Sequence, residues 1–205
     1  MNWVDSEPAP IPLASHEAQS LMDIARDSIR HGLETGEPLD ASNVEQLPEA
    51  LRQLGASFVT LNLDGSLRGC IGSIEAHRPL AHDVAHNAFA AAFRDPRFPP
   101  LSADELSRIE LHISLLAPAR PLPASSEHEL LSKLRPRIDG LILEDPPYRS
   151  VFLPQVWDTL PEPSEFVAHL KRKAGLPPSH WSAGLRFYRF TVEEIGEEET
   201  RRPTP

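Results

Sequence analysis

The stretch ASFVTLNL-DG-SLRGCIGSI, residues 56–74, decides the fold. Two runs rich in β-formers flank Asp64-Gly65, and an Asp-Gly pair in that setting is the strongest short-range hairpin signal. Gly69 and Gly72 lie inside the second run. A strand glycine weakens pairing by about 0.5–1 kcal/mol relative to alanine, so it marks a bulge or a place where something approaches the backbone closely. Between the two glycines sits Cys70, the only cysteine of the chain.

Working outward, Ser15 opens a helical pattern with Leu21, Ile24, Ala25, Ile29 and Leu33 at helical spacing, and Gly36 stops it. Residues 1–14 are Pro-rich and predict an extended lead-in, and 36–50 a loop. C-terminal to the hairpin, Pro79 to Arg94 predicts a helix closed by Asp95-Pro96. Leu80, Val84, Ala88 and Ala91 share one side of it; Phe89, Phe93, His82 and His86 share the opposite one. Asp83, Asn87 and Arg94 form a narrow polar stripe, and Ala90 to Ala92 would let another backbone come close.

Ser102-Ala103-Asp104-Glu105 has the form of a capping box and predicts a short helix. Leu111, Ile113 and Leu115 alternate with His112 and Ser114, the period of a strand. A Pro-rich linker over 117–125, a helix near 126–134, strands over 140–144 and 148–153, and a helix capped by Ser164 follow. That helix ends in Lys171, Arg172, Lys173 and Gly175, a cationic last turn read as a solvated helix end. A last strand over 185–192 and a disordered tail over 196–205 complete the pattern. Helices and strands alternate irregularly, with no internal repeat, which predicts an α+β fold with a mostly antiparallel sheet flanked by helices.

The chain has 205 residues, enough for one domain or two tightly joined subdomains. Its 40% hydrophobic and 24% charged residues are ordinary for a globular protein. The 22 prolines are about twice the usual ~5% share and predict many rigid loops. The formal net charge is −10, and residues 1–66 supply most of it, with 11 acids against three arginines. No basic stripe suited to phosphates appears, which argues against nucleic-acid binding. No run of 18 apolar residues predicts a membrane span, and MNWVDSEPAPIPL lacks the layout of a signal peptide. One cysteine allows neither an internal disulfide nor zinc spacing, which favours the cytoplasm.

Chemistry concentrates near Cys70. Arg68, two residues before it, is placed to lower the thiol pKa and raise the thiolate fraction that a nucleophile needs. The bland alternative is a small buried hydrophobe in a hairpin. The Gly-x-x-Gly string also matches an RNA-binding loop, but it lacks basic flanks and lies in a hairpin. His82 and His86, at i and i+4, have a metal-holding spacing, yet no third ligand is evident, so packed or cleft-lining histidines are the simpler reading and no metal or cofactor is expected. His77 is a further candidate base. Asp95 and Arg97 flank a proline in a stiff loop; an Arg fork there would hold a carboxylate, or the pair would hold its own loop in place. Trp157 and Trp181 read as packing aromatics.

LRGCIG (67–72), Asn87-Ala88, Ala91-Ala92-Phe93, DPRFPP (95–100), ISLL (113–116), FLPQV (152–156) and KAGL (173–176) follow one another in the order of a known signature. Over about residues 15–195 the chain resembles the AMME chromosomal-region candidate gene 1 family, whose prokaryotic branch is called AmmeMemoRadiSam system protein A. The resemblance implies a single α+β family domain with a larger part holding both termini, a smaller part from roughly 117–160, and a cleft between them. It also implies a neighbourhood that includes a Memo-like protein and a radical S-adenosylmethionine enzyme. It supplies no reaction. Cys70 carries over as the signature cysteine, with Arg68 as its candidate partner in catalysis. Gly69, Gly72, Asn87, Asp95 and Arg97 are candidates for substrate binding. Two functions remain open: an enzyme working through Cys70, and a non-catalytic accessory or substrate-binding module for those partners.

Overall fold

The computed structural model describes residues 10–40 and 46–196. Residues 1–9 of the expected lead-in and 197–205 of the expected tail lie outside the described residues; residues 10–14 carry no regular structure. The chain divides into two compact units, one over 10–116 and 193–196 and the other over 117–192. The second unit continues to 192 rather than ending near 160, because its last strand pairs into its own sheet.

In the larger unit, α1 (Ser15–Thr35) runs to Gly36, whose φ of 78° suits glycine at a helix end. A short α2 (Glu49–Arg52) leads into β1 (Leu54–Leu63), and Asp64 and Gly65, both with positive φ, turn the chain into β2 (Ser66–Gly72). Two central residues with positive φ make the turn whose twist matches a hairpin, as the Asp-Gly pair predicts. After the two-residue β3 (Arg78–Pro79) comes α3 (Leu80–Phe93), and then β4 (Ile109–Leu116). The sheet order is β2-β1-β4-β9, where β9 is Val192–Gly196, and β3 pairs with the start of β1. Antiparallel ladders join β1 to β2 and to β4.

Leu21, Ala25 and Ile29 of α1 meet Leu80, Val84, Ala88 and Ala91 of α3 over Val59, Leu61, Leu111, Ile113 and Leu115 of the sheet. The alternation read in β4 thus points its large side chains into this core. The polar stripe of α3 behaves differently from a solvated face. Asp83 and Asn87 are buried, because Ser57 of β1 and Ser73, the residue after β2, meet them with hydrogen bonds. No helix forms at 102–105. Residues 103–108 stay a series of turns, and the Glu105 carboxylate that accepts from Ser102 N and Oγ is also held by Arg68.

The smaller unit holds a four-stranded sheet in the order β5-β8-β6-β7, from Arg120–Pro121, Arg186–Phe190, Gly140–Asp145 and Tyr148–Phe152. β5 gives the Pro-rich 117–125 segment its one pair of strand residues. Helices α4 (Glu127–Lys133) and α5 (Pro163–Lys173) complete it. Trp157 is fully buried, stacks on Phe166 at 3.8 Å between ring centroids, and donates from Nε1 to the Asp139 carbonyl at 2.8 Å. It is a packing aromatic with its one polar atom satisfied. Helix α5 starts a residue before Ser164, with Glu162 at the cap and Pro163 at the first helical position, where a missing N–H costs nothing. Lys171 is not solvated. It is fully buried, pairs with Glu127 and donates to the Pro178 carbonyl at 2.9 Å. The run 185–192 is two strands rather than one: the chain leaves the small sheet at Phe190 and enters the large one at Val192.

Candidate functional site

The hairpin register puts Leu63 opposite Ser66 and Asn62 opposite Leu67, then slips, so that Leu61 faces Gly69 and Thr60 faces Cys70. Arg68 is the extra residue of a β-bulge. The glycines follow from what surrounds them. A Cβ on Gly69 would sit 2.1 Å from the Ala91 carbonyl oxygen, and one on Gly72 would sit 2.2 Å from the Phe58 ring. The backbone that the alanine run 90–92 admits is therefore β2 itself. Both glycines are here packing positions of the hairpin.

β2 is an edge strand, so Cys70 turns its N–H and C=O away from β1. The loop after α3 meets both groups. Cys70 N–H donates to Asp95 Oδ2 at 2.9 Å, and Arg97 Nη2 donates to the Cys70 carbonyl at 3.3 Å. Asp95 and Arg97 close on each other, with Nε to Oδ1 at 2.9 Å and Nη2 to Oδ2 at 2.7 Å. The Asp95 side chain is 2% exposed and that of Arg97 52%. Hydrogen bonds from the Arg97 side chain, opposed by burial and helped by the backbone N–H groups of Cys70 and Arg97, hold the Asp95 carboxyl far below the usual carboxylate range. The pair fixes its own loop, and the loop in turn fixes the cysteine.

The thiol is half-buried, and Thr60 Oγ1 donates to Sγ at 3.4 Å. Thr60 escapes a register counted from the Asp-Gly turn alone, which places Val59 opposite Cys70; the Arg68 bulge moves Thr60 there. Arg68 itself does not serve the thiol. It is 7% exposed and donates from Nε and Nη2 to the two oxygens of Glu105 at 2.8 and 3.1 Å. These bonds, with those from Ser102, draw the Glu105 carboxyl down to about 2. The cation that shares an electrostatic interaction with Cys70 is Arg97, whose own pKa is raised first by its bonds to Asp95. Both guanidinium groups lie over the Phe98 ring, at 5.9 and 5.4 Å from its centroid.

Asn87 is likewise committed, donating to the Ser57 carbonyl at 3.0 Å and to Asp83 Oδ2 at 2.9 Å. His77 places Nδ1 against the Glu75 carbonyl rather than the thiol. His82 and His86 line a separate pocket of about 270 Å³ with Pro38, Leu39, Asp40 and Arg78. Among the described residues no group of three His, Cys, Asp or Glu side chains is placed to hold a metal ion, and no helix is long and apolar enough to cross a membrane.

The AMMECR1 family model matches residues 22–195. A protein of Methanothermobacter thermautotrophicus is 38% identical over 193 residues, covering 91% of this chain and 97% of its own length. Protein MJ0810 of Methanocaldococcus jannaschii is 39% identical over 166 residues, covering 77% and 81%. Among solved structures, the uncharacterised protein PH0010 from Pyrococcus horikoshii matches with a TM-score of 0.84 at 32% identity, over 93% of this chain and 96% of its own.

Proposed function

The chain belongs to the AMMECR1 family, and on that footing we propose that it is an enzyme whose reactive group is the Cys70 thiol. The observation that carries this reading is the double clamp on the Cys70 peptide, N–H to Asp95 and C=O to Arg97, beneath a thiol that stays half-buried rather than sealed. A nucleophile gains from such fixing, because a held group loses little freedom at the moment of attack. The Thr60 hydroxyl donates a hydrogen bond to the sulfur, and Arg97, paired with Asp95, is the cation held against the Cys70 carbonyl. In the reaction, Sγ loses its proton to water and forms a bond to an electrophilic carbon, and the electron pair displaced there leaves with the departing group or rests on a carbonyl oxygen. In the cell the enzyme works in one pathway with a Memo-like protein and a radical S-adenosylmethionine enzyme.

The test is the pH dependence of Cys70 alkylation by iodoacetamide, in native and denatured protein. The expected result is a thiol that reacts in the native state near neutral pH, and faster there than in the denatured chain. Thr60→Val, which keeps the shape and removes the hydroxyl, should slow it without unfolding the chain. A thiol that reacts only after denaturation sinks the proposal.

A second reading has its own support: the charged groups around the thiol are spent on one another, Arg68 on Glu105 and Arg97 on Asp95. That economy suits a non-catalytic accessory or substrate-binding module for the same two partners. Affinity measurements with those proteins separate the readings, since stable docking at micromolar concentration is required only by the second.

A further inference from the structure

The pocket lined by Pro38, Leu39, Asp40, Arg78, His82 and His86 lies within the larger unit and does not include Cys70. Its arginine is held from behind. Asp83, fully buried, accepts from Ser57 N at 2.8 Å, Ser57 Oγ at 2.7 Å, Ser73 Oγ at 2.8 Å and Asn87 Nδ2 at 2.9 Å. Arg78 Nε is its fifth donor, at 2.9 Å, and Arg78 Nη2 reaches Ser73 Oγ at 3.4 Å. Four neutral donors share this carboxylate, and Arg78 is its cationic partner, held in place by the ion pair. The guanidinium therefore stands at a fixed place on the pocket wall, with its Nε turned to Asp83, Nη2 reaching Ser73, and about a quarter of the side chain exposed. His82 and His86, at i and i+4 of α3, add two imidazoles on the same wall.

We propose that this pocket binds a small oxyanion, the carboxylate or phosphate group of a metabolite, gripped by Arg78 with His82 and His86 as further donors. An Arg fork matches such oxygens in geometry as well as charge, and about 270 Å³ suits a ligand at the small end of the usual range.

The surroundings of His86 agree with this assignment. Burial first, then the charges of Arg78, Arg94 and His77, lower its pKa, while Asp83 raises it; an arriving anion reverses the repulsion and raises it again. This reading is independent of the thiol, and Cys70→Ser protein should bind as well as the native chain.

The experiment follows the imidazole resonances of the full chain by NMR near pH 6 while inorganic phosphate, and in a second arm acetate, is added to about 20 mM, a range that reaches millimolar affinity. Saturable shifts of His82 and His86, a raised His86 pKa at saturation and at least tenfold weaker binding in a His82→Gln/His86→Gln protein are expected; the arm that saturates first names the anion class. Arg78→Gln should abolish binding, but it touches the buried Asp83, so the histidine pair serves where that variant fails to fold. Absence of a saturable shift in both arms, or shifts of the other histidines that persist unchanged in the double variant, overturns the proposal.

Discussion

Asp95 shows how much one side chain can carry. Its two oxygens receive the Cys70 peptide N–H and three donors from Arg97, all in a setting where water scarcely competes. Asp95→Ala leaves the Cys70 N–H without its acceptor and should cost about 1–3 kcal/mol of stability, read by chemical denaturation. The Cys70 amide should then exchange its hydrogen faster than in the native chain. Acid makes the same point without mutation. Asp95 and Glu105 both have carboxyls held below their unfolded values, Glu105 at about 2. The stability they add is therefore whole above about pH 4.5 and fades as pH falls toward 2, a sign fixed by proton linkage. A stability that is level between pH 5 and pH 2 would contradict the geometry of both ion pairs.

At the scale of elements, the hairpin was legible because its signals are local: β-formers, an Asp-Gly turn, and glycines where a side chain cannot fit. Gly69→Ala tests the last of these. Its methyl would meet the backbone of α3 rather than a movable side chain, and the loss should reach about 2 kcal/mol or more in denaturant titration. The partners of the bulge were not legible. Arg68 reads as the neighbour of Cys70 in a list of residues, but one extra residue in β2 turns it toward Glu105 and brings Thr60 up to the thiol. The capping-box pattern at 102–105 misled in a related way. Its Glu105 does cap Ser102, yet the same carboxylate answers an arginine 37 positions earlier, a contact no local pattern announces. Asp83 and Asn87 repeat the lesson on α3: the narrow polar stripe is visible in the sequence, but its meeting with Ser57 and Ser73 is not.

Across the whole molecule, the two compact units hold separate apolar clusters. Trp157 and Trp181 both fall in the smaller one, and residues 10–116 contain no tryptophan. Trp3, the third tryptophan, lies outside the described residues, so in a Trp3→Phe background tryptophan fluorescence follows the smaller unit, while the long α1 and α3 dominate the helical signal of the larger. A Gly69→Ala protein should show a lower midpoint by far-UV circular dichroism than by fluorescence; coincident midpoints would mean that the chain unfolds as one cooperative body. The loop that closes over β2 has one more effect at this scale. An uncovered outer strand invites a second chain to zip alongside it, and a strand bearing a thiol invites that zipped pair to lock by oxidation. Here the Asp95–Arg97 plug occupies the very amide and carbonyl that an incoming strand would need. The strand that carries the sulfur is thus closed at that point to the edge of another copy.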